Sequence, residues 1–451
     1  MLRKSSGKRV RVLISVITLV TVLTGLSFAA SAAFPTARDA LKWPFTANSP
    51  WNMPIGSGAV YQDAGIVHNS NAGYPTEFCQ DQDVVVMKPT APNVSVYYNG
   101  VGWDGGDRCA QQGGLLQTVP CPSNYTLPSS GENNSTAFLM ADGHTVKQNQ
   151  PFTRCSAGGN ATTLVTFNDE DLLSGEGIRG AHGGSNLSAL GGTIRLGEFT
   201  AGVIRHVMKV NLWAHEYYKC CSPIWPAGAV DGYANGTTYG GTKSYFAPGA
   251  LLALPPTFNI DGLSTAGAKI LAQAFIDYGA YVVDDTYWNA WAIITEQGPD
   301  GKVVDEFQTL YGYSMRPAQD HVFMTDIKTI FQSLKVVTNN SSSNRGGGGT
   351  PRQPLAPAFG STGTINRSYT VPAEFNAFAN GSSVRFTLPS NLKPGAVLKV
   401  HDIAGRTVWQ KENLTPETSS VCINSKLNNG IYFASLSQGT EKEIRKVIFM
   451  R

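Results

Sequence analysis

The sequence predicts a mainly β protein. The expected form is a β-sandwich or jelly-roll-like main domain with at least one packed helix, then a small C-terminal antiparallel β-sandwich. Three observations carry this. From residue 34 to about 338, short apolar runs recur between Gly, Asn, Thr and Pro turn signals. One stretch there stands out for helical periodicity. After about residue 365, strand-length runs alternate apolar and polar side chains.

The helix is expected from Ser264, a suitable N-cap, to Gly279, a stop. Ile270, Leu271, Ala274, Phe275 and Tyr278 share one face between them. "AYVVDDT" then reads as a short buried strand ending in Asp284 and Asp285, with "AWAIITE" (290–296) as its neighbour. Upstream, 193–198 and 204–213 both alternate, and Thr200-Ala201-Gly202 lies between them. A left-handed Gly202 closing a three-residue loop predicts a hairpin. Its register makes Glu198 and His206 diagonal neighbours on an apolar face, with Arg195, Lys209, Asn211 and Trp213 on the other.

The first eleven residues carry five basic side chains and no acid. An apolar run to Phe28 and a small-residue stretch follow, which is the pattern of a secretory signal peptide cut after Ala32. The run is short for an uncleaved membrane span. Removing those five cations from a net charge of +3 leaves −2. A nearly neutral protein with few basic clusters argues against nucleic acid as a partner. Six cysteines (79, 109, 121, 155, 220 and 221) suit a disulfide framework in an exported domain, with Cys422 left over. Adjacent Cys220 and Cys221 are expected to take different partners. No C-x-x-C supports zinc. Ser/Asn, four glycines and spaced prolines mark 339–364 as a linker. The expected organisation is signal peptide 1–32, main domain 34–338, linker 339–364 and a C-terminal domain 365–451.

The C-terminal domain carries Val384-Arg385-Phe386-Thr387-Leu388-Pro389, then Val400-His401-Asp402-Ile403-Ala404-Gly405-Arg406. Leu427-Asn428-Asn429-Gly430-Ile431-Tyr432-Phe433 and a basic end at Lys446 and Arg451 complete the set. In that order the motifs resemble the C-terminal sorting domain of the type IX secretion system. The resemblance implies export across an outer membrane, with the secretion machinery as a partner, and an extracellular or outer-surface location. It also implies that the tail is removed. It implies nothing about the chemistry of the cargo.

For that chemistry the residues leave several readings. A secreted polysaccharide-degrading enzyme is favoured. As a glycosidase it would use Glu198 and Asp285 as its carboxylate pair, with Glu296 and Glu176 in reserve. As a lyase on uronic acids it would use Arg195 or Lys209 to neutralise the substrate carboxylate, and His182, His206 or a tyrosine to take the proton. His182, within "GIRGAHGGSNLSALGGTIRLGE", is expected to be loop-borne and exposed, and His206 to lie against the core. Asn211, Trp213, Trp225 and Trp288 are candidate sugar-binding groups. The alternatives are a non-catalytic glycan-binding module and a structural adhesive protein. His182-Gly-Gly lacks a G-x-S-x-G partner for esterase chemistry, and His215-Glu216 lacks the second histidine of a zincin. No cofactor or metal centre is expected. Asn168-Asp169-Glu170-Asp171 offers at most a structural calcium loop, without the glycine and spacing of an EF-hand.

Overall fold

The computed structural model describes residues 34–360, apart from Ser70 and Asp104. In the C-terminal part it describes 376–380, 383–388, 392–403, 405–415, 420–423, 428, 430–438 and 441–449. The signal-peptide reading of 1–32 lies outside the described residues. The chain divides into two compact units, 1–360 and 361–451.

The first unit opens with β1 (Tyr61–Asp63), β2 (Glu77–Val86), β3 (Asn93–Tyr98), β4 (Leu115–Pro120), β5 (Thr136–Leu139) and β6 (Thr145–Gln150). Three short strands follow: β7 (Ala161–Thr163), β8 (Val165–Thr166) and β9 (Glu170–Asp171). Next come α1 (Glu198–Ala201), β10 (Met208–Leu212), α2 (Ala214–Tyr217) and β11 (Leu251–Ala253). The unit continues with α3 (Ala266–Asp277), β12 (Ala280–Asp285), β13 (Ala290–Gly298), β14 (Gly301–Lys302), α4 (Val303–Tyr311), α5 (Val322–Ser333) and β15 (Lys335–Val337).

The unit is mostly β, as expected, and its main sheet is mixed. The sheet runs β1-β15-β11-β12-β10-β13-β2-β5-β6-β8, with parallel pairs at β12–β10, β13–β2 and β2–β5. A jelly roll is antiparallel throughout, so these parallel pairs depart from that part of the expectation. One face of the sheet carries Phe78, Val210, Leu212, Val282, Trp291 and Ile293, which pack against Phe275, Phe307, Phe323 and Phe331 of the helices. The other face carries Val85, Tyr281, Val283 and Ile294, which pack under Trp51, Leu187 and Leu190 of irregular chain. Beside it, β4-β3-β7 form a small sheet over Val84, Val86 and Phe138.

The expected helix is α3. Its first turn is held by Asp326 of α5, whose buried carboxylate accepts from Ser264 N, Thr265 N and Thr265 Oγ1. Gly279 ends it with φ +77°. The strands expected as neighbours are β12 and β13, but β10 lies between them. The hairpin that would have kept β10 elsewhere does not form. Gly197 and Gly202 are both left-handed, and the residues between them make the helical turn α1. Phe199 of that turn packs edge-on against Phe307, and Glu306 accepts from Gly197 N and Thr200 N. Ile194 instead pairs with Thr295 of β13, and Met208 with Ala280 of β12.

The expected linker is bound to this unit as far as Gly360. Asn339 Oδ1 accepts from Val60 N, Gly346 O from Gly56 N, and Ile55 O from Arg352 N. The Arg352 guanidinium donates to Ile276 O. Polar glycine-rich chain reads as flexible until its backbone is found paired. The six-cysteine expectation is met in part. Cys109 pairs with Cys155, Cys220 and Cys221 lie side by side rather than reaching different partners as expected, and Cys79 and Cys121 are buried thiols.

The second unit is an antiparallel β-sandwich. Its strands are β16 (Asn376–Asn380), β17 (Ser383–Thr387), β18 (Ala396–Asp402), β19 (Thr407–Leu414), β20 (Ser420–Ile423), β21 (Gly430–Gln438) and β22 (Glu441–Phe449). They form sheets β16-β17-β20 and β19-β18-β21-β22, with Val384, Phe386, Leu398, Val400, Ala434 and Leu436 between them.

Asp326→Ala removes three acceptor contacts at a buried helix start and is expected to cost about 2–3 kcal/mol, read by denaturant unfolding. A chain ending at Thr338 is expected to melt several degrees below one ending at Gly360. Equal melting temperatures would restore the linker reading.

Candidate functional site

A row of polar side chains crosses the middle of the main sheet on the face opposite the helices. Alternation along β2 sets Cys79, Asp81, Asp83 and Val85 on this face, and alternation along β10 adds Lys209 and Asn211. In β12 the register slips against β10, so that Val210 faces Val282 but Asn211 faces Asp284. This bulge turns Asp284 to the same side as Val283, although adjacent strand residues ordinarily point apart. Asp284 therefore joins the row, and Asp285 reaches the same cleft at the strand end.

The glycine-rich stretch covers the row. Gly183 has φ +44°, and a Cβ there would meet the Asp284 carboxyl at 2.0 Å. A Cβ on Gly184 would meet the Asp231 carboxyl at 2.5 Å. His182 is 0% exposed, not exposed as expected, because this close approach seals its ring beneath the loop. Its Nε2 lies 3.4 Å from Asp83 Oδ1 and 3.9 Å from Asp81 Oδ2, and neither ring nitrogen has a hydrogen-bond partner.

Lys209 is equally buried. Its ammonium donates to Asp83 Oδ2 and to Ser188 O, and Thr193 Oγ1 donates to the same carboxylate. Asp81 Oδ2 accepts from Asn133 and Asn211, each at 3.0 Å, and Asn133 also donates to Asp284 Oδ2. Asp284 Oδ1 accepts from Gly184 N and Asp285 N. Burial raises the Asp81, Asp83 and Asp284 carboxyls; for Asp284 the charges of Asp231 and Asp81 add to it. Burial and the Lys209 charge hold the His182 imidazole well below its usual value.

The row opens into a cleft of about 970 Å³. Five carboxylates line it: Asp81, Glu132, Asp231, Asp284 and Asp285. No Lys or Arg is among its lining residues, and Trp103, Tyr233, Tyr287 and Trp288 stand at least partly exposed along it. Asp285 is held in place by Ala214 N and Tyr287 N, both donating to Oδ1, and by Tyr233 OH on Oδ2. Asp231 accepts from Tyr239 OH at 2.5 Å. Burial raises Asp231, and the Asp285 charge adds to the shift.

Of the expected site residues, Asp285, Asn211 and Trp288 line this cleft, and His182 lies beneath its glycine loop. Glu198, His206, Arg195, Lys209, Trp213 and Trp225 do not line it. Glu198 accepts from Arg195 N and bonds His206 Nε2 at 3.1 Å, so the expected pair forms without the hairpin. Burial works against charging His206, but the Glu198 carboxylate outweighs it and raises the imidazole. Arg195 is buried against Glu296 at 2.8 Å, where its charge overcomes burial and lowers that carboxyl. Trp213 stacks on His215, Trp225 meets Tyr281 edge-on, and Glu176 pairs with Arg345. The acidic run at 168–171 does not converge. Asp169 pairs with Lys147, Glu170 accepts from Gly177 N, and Asp171 bonds His144.

Sequence reasoning missed Asp81, Asp83, Asn133 and Asp231. The signal for the first two was available: Cys-Gln-Asp-Gln-Asp before three valines is alternation on a central strand.

Residues 379–450 match the family of the secretion system C-terminal sorting domain. That domain marks proteins exported to the cell surface or the extracellular space, so the chain is a secreted or surface protein that uses the type IX machinery. No helix of the described residues is long and apolar enough to cross a membrane. Among the curated proteins none matches the chain.

The Glu198–His206 pair predicts a pH-dependent stability. A raised histidine stabilises the fold fully below its unfolded value of 6.5 and loses that contribution as pH rises through the folded one. Glu198→Gln is expected to cost about 2 kcal/mol near pH 6, and the gap to wild type is expected to narrow by about pH 9. A gap independent of pH in thermal melts would remove this assignment.

Proposed function

We propose that this exported protein hydrolyses a neutral polysaccharide in the carboxylate-lined cleft. The observation that carries the reading is the lining itself: five carboxylates, exposed aromatic rings and no Lys or Arg. Aromatic faces stack on sugar rings, and carboxylates accept from hydroxyls. A uronic-acid or phosphorylated substrate would find no Lys or Arg there to pair with its charge. Arg195 and Lys209, the residues that a lyase would need, are each committed to a buried carboxylate.

The chemistry falls to Asp231 and Asp285, which are half-buried and open to the cleft, rather than to Glu198 and Asp285. Burial raises the Asp285 carboxyl as well, but the two backbone N–H groups that reach its Oδ1 can only donate, and they oppose that shift in favour of the ionised form. Asp285 then attacks the anomeric carbon or activates the water that does. Asp231 protonates the departing glycosidic oxygen, a role that suits a carboxyl raised by burial and by a neighbouring charge. Tyr233, bonded to Asp285, and Tyr287, edge-on to Tyr233, form one wall for the sugar.

The test incubates the full chain with neutral and uronic polysaccharides, following reducing ends and the ultraviolet band of unsaturated uronates. New reducing ends from a neutral polymer, without that band, are expected. Asp285→Asn and Asp231→Asn are each expected to lower turnover about 100-fold or more, while Glu198→Gln stays active wherever it is folded. Appearance of the band would indicate a lyase. Retention on a polymer with no new ends would indicate a binding module. Either result overturns the reading.

A further inference from the structure

We propose that Asp81, His182 and Asp284 bind a divalent transition-metal cation, Zn²⁺ or Mn²⁺, at the floor of the cleft. Each residue offers one ligand atom, and the three atoms lie within 4.8 Å of one another. Two ligands held about 2.1 Å from one ion sit at most about 4.2 Å apart, so the set closes on a cation with small side-chain shifts.

An independent observation points to a ligand. The His182 ring is fully buried, yet neither of its nitrogens has a hydrogen-bond partner. A buried polar group without a partner is costly and calls for an explanation. The ring is not turned to an apolar wall. Its Nε2 points among carboxylates, 3.9 Å from Asp81 and 3.4 Å from Asp83. A second orphan lies in the same row: Asn211 Oδ1 is buried and unpartnered, while its Nδ2 bonds Asp81. That oxygen is available as a further donor.

The charge balance agrees. Asp81, Asp83 and Asp284 converge here, and the cation bonded within the row, Lys209, is taken up by Asp83. A dication would supply the positive charge that the remaining two carboxylates lack. Asn133 bridges them, and Gly184 N and Asp285 N fix the far oxygen of Asp284, which is the outer support that metal ligands use. One imidazole among oxygen donors suits zinc or manganese better than calcium or magnesium, which favour oxygen throughout. Asp81 and Asp284 also line the cleft, so a water or a sugar hydroxyl can reach the ion.

The proposal does not rest on the glycan reading, because it is read on the protein alone. The full chain, made without a histidine tag, is stripped with a chelator and loaded with Co²⁺, Zn²⁺ or Mn²⁺. One ion per chain by equilibrium dialysis, a visible Co²⁺ spectrum displaced by Zn²⁺, and a higher melting temperature are expected. His182→Gln is expected to weaken binding about 100-fold or more and to abolish the spectrum. His144→Gln, at the exposed histidine beside Asp171, is expected to change neither. Should His182→Gln fail to fold by circular dichroism, Asp284→Asn carries the same test. Absence of stoichiometric binding in the wild type overturns the proposal. So does unchanged affinity and spectrum in whichever of the two site variants fold.

Discussion

The buried ion pair between Lys209 and Asp83 is the constraint around which the first unit is arranged. An ammonium removed from water must be paired and bonded on all sides. Here the partners come from three places: Asp83 on β2, Ser188 in the glycine-rich loop, and the Trp51 ring 6.0 Å away. Asp83 also accepts from Thr193 at the far end of that loop. The loop must therefore lie flat against the sheet, and glycine is the residue that allows it. A Cβ on Gly192 would collide with the Trp51 ring at 2.4 Å. The pair also takes up the row's bonded cation, which leaves Asp81 and Asp284 to make the cleft floor acidic.

Much of the fold was legible wherever the signal is local. Helix α3 showed its apolar face and its stopping glycine. The C-terminal strands showed alternation over whole strand lengths, and the secretory tail was readable from the order of its motifs. What failed was long-range pairing. Strands β12 and β13 were found as segments, but β10 inserts between them because Gly197 and Gly202 end the expected hairpin. Periodicity identifies a strand without saying which other strand it joins. The segment after Thr338 misled for a related reason: its partners, Ile55, Val60 and Ile276, lie far away in sequence.

The site was half legible. Asp285, Asn211 and Trp288 were named and do line the cleft. Asp284 was not named beside Asp285, because neighbours on a regular strand point apart; the bulge in β12 brings both to the cleft. His182 was singled out, but glycine neighbours suggested exposure when they permit burial. Glu198 and His206 were expected to touch and do, through a helical turn rather than a ladder. Neither residue lines the cleft, so proximity of an acid and a histidine did not point to it. Asp231 sits in chain with no periodicity, where only the folded backbone brings it beside Gly184.

The strap from Asn339 to Gly360 bears on how the exported chain can be processed. Its bonds run back to Gly56, Ile55 and Val60, so it closes the first unit much as a clasp closes a belt. A protease that removes the sorting tail by cutting after Gly360 leaves the clasp fastened and the cargo whole. A cut before Gly346 frees the clasp and strips backbone partners from the unit's own N-terminal segment. Where such a cut falls relative to Gly346 and Gly360 thus decides whether these backbone contacts survive it.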